Sequence, residues 1–321
     1  LDIASVTDVS NHFRFVSRSR RELREIFDPS ISGGDLRVTG AGYSGVMRKR
    51  TLAHLSDLHL GRSRDVERSA ARLCRALLDA RVDHAIVTGD VTDRGRRAEL
   101  LAFERAFAPL IDSGRLTVVP GNHDRLGDDV ASTIARGRRV SVVTRPGLHL
   151  VVVDSTGAHN RSLLAGHGEL GARDLDAIDE AIDGAAADAL VVVALHHHPM
   201  RLPEELFIER VSGWLGMPNA AELALGPALL GRLRGRCDLV LHGHRHQPRA
   251  AAIGLFDARP LGIYNAGSTT LLGAARLLAH AGGRLAGEAE WLRQADADEV
   301  DVAPPPPLVV DLGAALARGA A

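Results

Sequence analysis

Little in this chain can stack, cross-link or carry a lysine charge. Aromatic residues make up only 3% of the 321 residues, too few for a row of nucleobase platforms, although Trp214 and Tyr264 would serve one base. The two cysteines are Cys74, inside an amphipathic helical pattern, and Cys237, at the start of a strand pattern. Two isolated thiols of this kind read as buried groups and exclude a disulfide framework or a cysteine metal knot. Lys49 is the single lysine, and with a net charge of -1 the chain has no overall basic field, so nucleic acid is not an expected partner. No apolar run approaches the roughly 20 residues that cross a bilayer. The N-terminus also lacks the charged, apolar and small-residue succession of a signal peptide. These absences lead to the expectation of a cytoplasmic protein, and the 45% hydrophobic fraction is ordinary for one with a substantial core.

What is present alternates. Strand patterns at 51–56, 84–88, 116–119, 148–153, 190–195 and 237–241 are interleaved with helical patterns at 65–80, 96–111, 168–183 and 219–234, which predicts a layered α/β architecture. The runs Leu148 to Val153 and Leu190 to Leu195 are apolar without alternation, as strands covered on both faces are. Residues 1–50 read as an N-terminal arm with a short arginine-rich helix over Ser17 to Phe27, followed by a main domain over 51–296. A stiff link at Pro304 to Pro307 lies in a C-terminal tail, 297–321. Gly40-Ala-Gly-Tyr-Ser-Gly45 is a literal Gly-x-Gly-x-x-Gly, but a strand and not a helix follows it, so it does not read as a dinucleotide loop.

The chemistry lies in five short motifs, each at the end of an apolar run: Asp57-Leu-His59, Asp90, Asn122, His196, and His244-Arg-His246. Oxygen and imidazole donors of this kind suit two divalent ions roughly 3.5 to 4 Å apart, with positions left for water and phosphate. Such a pair needs a bridging carboxylate. Asp90 is the candidate, because Gly89 before it lets the chain turn sharply. Asp57 and His59, two residues apart, would face one side of an extended segment. Alone, each motif is weak; a surface strand end carries an Asp-x-His by chance, and Gly, Asn and Asp all form turns. Their ordered conjunction is what carries weight.

Taken together, Asp57-x-His59, Gly89-Asp90-x-x-Asp93, Gly121-Asn-His-Asp124, His196 and Gly243-His-x-His246 resemble the calcineurin-like metallophosphoesterase superfamily, from about Thr51 to Trp291. The resemblance implies a four-layer α-β-β-α sandwich of two mixed sheets flanked by helices, with a dinuclear metal site at the strand ends and residues 250–295 as later strands of the second sheet. It implies that Asp57, His59 and His246 hold one metal, that Asn122, His196 and His244 hold the other, and that Asp90 bridges. His196 aligns with the family ligand; His197 and His198 are the alternatives. His123 would face the leaving group. Asp93 and Asp124 would orient ligands and tune His123, or else be solvated turn carboxylates. Arg94, Arg125 and Arg245 stand beside ligands as candidate phosphate contacts. A nitrogen and oxygen donor set without cysteine suits Mn, Fe, Zn or Co.

The implied activity is hydrolysis of a small-molecule phosphodiester by a metal-bridging hydroxide, with His123 assisting the leaving group. His196-His-His-Pro199 and Tyr264-Asn-Ala-Gly-Ser268 look like the bacterial class III cyclic-nucleotide phosphodiesterases and glycerophosphodiesterases. Two alternatives stand beside this reading. A DNA-processing nuclease of the same superfamily would bring a basic face and a capping domain, neither evident here. A non-catalytic scaffold tends to lose ligands, and all seven remain. The apolar segment 199–219 would cap the metals, make a homodimer contact or close the core.

Overall fold

Strands buried on both faces form the middle of the protein. The structure, a computed structural model, describes residues 48–200 and 222–294. The expected helix over Ser17 to Phe27, the apolar segment beyond Met200 and the tail 297–321 lie outside the described residues. In the first sheet β1 (Arg50–Leu55), β2 (His84–Thr88) and β3 (Leu116–Val119) run parallel. Their crossovers are α1 (Arg64–Asp79) and α2 (Arg97–Asp112). The start of α1 is fixed by Ser63, whose side chain accepts from the Val66 amide, with Asp65 and Glu67 in the first turn where the helix dipole favours them. Its apolar stripe, Val66, Ala70, Leu73, Cys74 and Leu77, is buried, at the spacing one helix face requires.

After the short helix α3 (Val130–Ala135) the second sheet begins with the hairpin β4 (Val140–Arg145) and β5 (Leu148–Val153). It continues through α4 (Ala172–Asp183), β6 (Leu190–Ala194), α5 (Gly226–Leu233), β7 (Leu239–His242), β8 (Arg249–Ile253) and β9 (Leu261–Asn265), in the order β4-β5-β6-β7-β9-β8. Strands β5, β6, β7 and β9 are parallel, and the outer two are antiparallel. The short helix α6 (Thr269–Leu272) then leads the chain back to the first sheet. There β10 (Ala274–Ala281) pairs antiparallel with β1, and β11 (Arg284–Leu285) and β12 (Glu290–Arg293) pair with β10.

Three apolar clusters show the four layers. Leu77, Phe103 and Phe107 of the first two helices pack on one face of the first sheet. Leu52, Ile86, Leu150, Val192 and Leu241 fill the space between the sheets. Ile178, Leu229 and Leu230 cover the far face of the second sheet. Both cysteines are buried and unlinked. Among the described residues no helix is long and apolar enough to cross a membrane.

The structure corrects the expected assignment of residues 250–295. Only β8 and β9 belong to the second sheet, whereas β10 to β12 complete the first. Local pattern cannot choose between sheets; β10 is held by its two faces, with Ala275 under the outer helices and Leu278 between the sheets. Strand β4 was not foreseen: it is an edge strand whose residues are half-buried or exposed, so it lacks the apolar run of its neighbours. Helix α4 begins at Ala172, not 168, and α5 at Gly226.

Between β2 and β3 the imidazole of His84 is buried, 2.8 Å from the Thr117 hydroxyl. Burial, with the Arg145 charge behind it, lowers its pKa to about 4. The unfolded value lies near 6.5. A depressed histidine pKa gives stability that is complete above about pH 6.5 and is lost as pH falls toward 4, because the unfolded chain takes up the proton first. His84→Gln is therefore expected to remove about 3 kcal/mol of the stability lost between pH 7 and pH 4. Urea unfolding of metal-free protein across that range measures it; identical pH dependence in variant and parent would contradict it.

Candidate metal centre

Every parallel strand of both sheets ends on the same rim, and the side chains named from the motifs stand there. Asp57 and His59 follow β1, Asp90 follows β2, Asn122 follows β3, His196 follows β6, and His244 and His246 follow β7. In open α/β sheets this carboxyl end is where ligands bind. The loops after β1 and β2, neighbours in the first sheet, hold one another in place: the Asp57 amide donates to the Gly89 carbonyl at 3.0 Å and the His59 amide to the Asp90 carbonyl at 2.9 Å.

The backbone takes a form that the sequence does not announce. Asp57, His59, Asp90, His244 and His246 have φ of 51°, 51°, 48°, 73° and 53°. Non-glycine residues rarely occupy this left-handed region, and those that do concentrate at functional sites. The extended Asp57-Leu-His59 segment expected from the sequence is thus corrected. The two side chains reach a common side through left-handed backbone at Asp57 and His59, with Leu58 between them buried in the helix-side core.

Two donor groups result. In one, the His59 and His246 Nε2 atoms lie 3.0 Å apart, with the Asp57 carboxylate 3.5 Å from His246. In the other, Asn122 Oδ1 lies 3.0 Å from both His196 Nε2 and His244 Nδ1. Asp90 stands between the groups, with Oδ1 3.5 Å from His196 Nε2 and Oδ2 3.8 Å from His59 Nε2. His196 Nδ1 donates to the Thr88 carbonyl at 2.8 Å, which turns the Nε2 lone pair inward. His197 is near enough to join this group, but both its nitrogens are engaged: Nε2 donates to the Gly166 carbonyl at 3.0 Å and Nδ1 accepts from Ser155 Oγ at 2.8 Å.

The protonation pattern fits cation ligands. Burial, and then the neighbouring histidines, hold the His244 imidazole well below its ordinary pKa, and burial takes His246 to about 4. Both are neutral near pH 7, as a metal requires. Asp57 is raised to about 6, by burial first and by the Asp90 charge. His196 is raised to about 9: burial opposes its charge, and Asp90 overcomes that opposition. The contacts of His59 with His246, and of Asn122 with His196 and His244, bring together atoms that can each offer a lone pair to a cation. The residues present fit two divalent ions.

His123 lies beside the first group, its ring 4.8 Å from that of His59. Its amide donates to Asp90 Oδ1 at 2.8 Å, and its Nδ1 donates to the Asp93 carbonyl oxygen at 2.7 Å. The Asp93 carboxylate instead lies 3.5 Å from His59 Nδ1 and accepts from Arg62 at 2.8 Å. Asp124, fully buried, accepts from the Thr92 amide and hydroxyl at 2.9 and 2.7 Å and from the Gly121 amide at 2.9 Å. It ties the loop after β2 to the loop after β3 and shows no contact with the His123 ring. Arg125 is turned away from the ligands toward Asp154 and Thr156, 2.6 Å from each, so it is not placed to contact phosphate.

Asp154, Ser155 and Thr156 were not singled out from the sequence. They carry no ligand pattern, yet they directly follow the buried run Leu148 to Val153, the same position that every ligand motif occupies. That position was the available signal.

A family model described as calcineurin-like phosphoesterase matches residues 50–248. No curated protein sequence matches the chain. A dimetal phosphatase from Danio rerio is similar in structure at 13% identity and a TM-score of 0.51, over 77% of this chain and 99% of that one. A purple acid phosphatase from yellow lupin aligns at 10% identity and a TM-score of 0.47, over 82% of this chain and 57% of its own. GAP50, the anchor in the inner membrane complex of Plasmodium, aligns at 11% identity and 0.49, over 85% and 94%. At these identities the likeness is one of fold.

Proposed function

The chain belongs to the calcineurin-like phosphoesterase family, and from that premise we propose that it is a dinuclear metal-dependent phosphodiesterase acting on a small molecule. The observation that carries this reading is Asp90, whose two carboxylate oxygens face the two donor groups, one each. Asp57, His59 and His246 would hold one ion, and Asn122, His196 and His244 the other. Two such ions would lower the pKa of a coordinated water and neutralise charge on the phosphoryl oxygens.

The chain's own residues do the rest. His123 is held by its Nδ1 on the Asp93 carbonyl, which fixes the ring and leaves Nε2 to carry a proton toward a departing oxygen. The Asp93 carboxylate, at 3.5 Å from the far nitrogen of His59, orients that ligand and strengthens it as a donor. Asp124 acts at one remove, by holding the strand-end loops that present Asp90 and Asn122.

The test is turnover of bis-p-nitrophenyl phosphate, p-nitrophenyl phosphate and cyclic AMP by metal-stripped protein reloaded with Mn, Zn or Fe. The reading predicts metal-dependent cleavage that favours the diesters. A preference for the monoester would overturn the diester assignment, and silence with every metal the enzyme assignment. His123→Ala is expected to lower kcat about 10²-fold on an alkyl leaving group and much less on p-nitrophenolate, which departs without a proton. Equal losses on both would remove His123 from the leaving-group role.

A further inference from the structure

His123 and Asn122 ride on the short 3-10 turn His123–Arg125 after β3, on the first sheet, whereas His196 stands at the end of β6 on the second. Something must set one sheet's groups against the other's to within a fraction of an ångström. The Asp154-Ser155-Thr156 tripeptide, at the end of β5, touches both. Arg125 donates from Nη2 to Asp154 Oδ2 at 2.6 Å and from Nε to Thr156 Oγ1 at 2.6 Å. Asp154 Oδ1 in turn accepts from the Thr156 amide and hydroxyl at 2.9 and 2.6 Å. Ser155 faces the other way, accepting from the His197 amide at 3.2 Å and lying 2.8 Å from His197 Nδ1. The remaining Arg125 nitrogen, Nη1, donates to Asp129 at 3.1 Å and to Ser132 at 2.9 Å. The three tripeptide residues are 3%, 0% and 0% exposed, so the bonds within the tripeptide and from Ser155 to His197 are shielded from competing water, whereas the Arg125 bond to Ser132 is exposed.

We infer that the Asp154–Arg125 clasp positions His123 for proton donation, with Ser155 fixing the His196 side of the same hub. This deepens the phosphodiesterase reading and rests on it. Arg125 and Asp154 are positioning residues and touch no reacting atom. The planar guanidinium matters because it engages Thr156 and Asp154 side by side while its third nitrogen reaches Asp129, a geometry lysine cannot reproduce. Without the clasp the turn loses one of its ties to the second sheet, leaving the contacts of Asn122 with His196 and His244, and displacement of an acid by about 1 Å can cost roughly 10²-fold.

The test uses Arg125→Met, Arg125→Lys and Asp154→Asn, with Arg232→Met as a surface ion-pair control, and has two arms. In the first, kcat is measured for diesters with p-nitrophenyl and alkyl leaving groups on metal-loaded protein. Arg125→Met is expected to fall about 30-fold or more on the alkyl ester and less than about 3-fold on the p-nitrophenyl ester. The lysine and asparagine variants should fall between it and the parent, with metal content unchanged. In the second arm, amide hydrogen exchange follows the His123 N–H, which donates to Asp90. Its protection is expected to drop about 10-fold or more in the variants, while that of Asp57, bonded to Gly89, holds. Unchanged His123 protection in all three variants, or a uniform fall in kcat for both leaving groups, would overturn the inference. A parent without metal-dependent turnover would instead reject the phosphodiesterase reading, and the exchange arm would still decide the positioning role.

Discussion

Asp90→Asn is expected to lower turnover by about 10³-fold or more and to leave the protein folded. The substitution keeps the shape of the side chain and one carbonyl oxygen for the His123 amide, which now bonds Oδ1 at 2.8 Å. What it removes is the negative charge and the second oxygen, so that one donor group meets an N–H that repels a cation. Burial first, and then the same charge, raise the pKa of Asp57 and Asp124, so its loss also relieves repulsion among buried carboxylates. Against this, His196 loses the partner that keeps it protonated. Removing one partner of a buried pair costs chiefly because the other charge is left uncompensated; here His196, without Asp90, can shed its proton, and the two effects oppose each other. Melting temperatures of the metal-free variant and parent should therefore agree closely, while the rise on adding Mn or Zn shrinks sharply in the variant. Elemental analysis should find less than half the parent's metal. Retained activity with a full metal complement would show that Asp90 does not bridge.

Gly89→Ala is expected to do comparable damage by a different route. Gly89 has φ +91°, where an L side chain is strained by roughly 1 to 3 kcal/mol. A Cβ there would also meet the His196 ring and come within 2.9 Å of the Gly121 Cα. Neither neighbour can withdraw. The His196 ring is bonded to Thr88 behind and faces Asn122 in front, and Gly121 is backbone held by Asp124. A loss of about 3 kcal/mol or more in urea unfolding should accompany loss of one metal and about 10²-fold lower turnover. The informative comparison is with Gly231→Ala, where nothing lies within 4 Å of the added atom. If Gly89→Ala were as mild as that control, the packing of His196 against the strand-end turn would not be what holds it in the site.

Much of this arrangement was legible because metal ligands must be particular residue types at strand ends, and strand ends are visible as the close of an apolar run. Asp57, Asp90, Asn122, His196 and His244 can be named as candidates on that ground, and the structure brings their side chains close to one another. Two kinds of information were missing. Left-handed backbone at Asp57 and His59 goes with bonds from the Asp57 and His59 amides to Gly89 and Asp90, partners some thirty residues away, so no local pattern reports it. Groups that act by holding others, such as Asp154 and Ser155, need no special chemistry and blend into loop composition. The fold shows the same division. Helices α1 and α2 were marked by their periodicity, whereas the return of β10 to the first sheet was decided by which faces had to be covered.

That return has a consequence for synthesis. The first sheet is begun by β1 to β3 and completed only when Ala274–Ala281 pairs with β1. A ribosome working at roughly 5 to 20 residues per second needs about ten to thirty seconds to travel from the end of β3 to β10. Throughout that interval β1 is an open edge, able to pair with a neighbouring nascent chain. Crowded expression should therefore produce aggregates seeded by the amino-terminal half, and slower initiation or lower temperature should recover soluble protein without any change in the sequence.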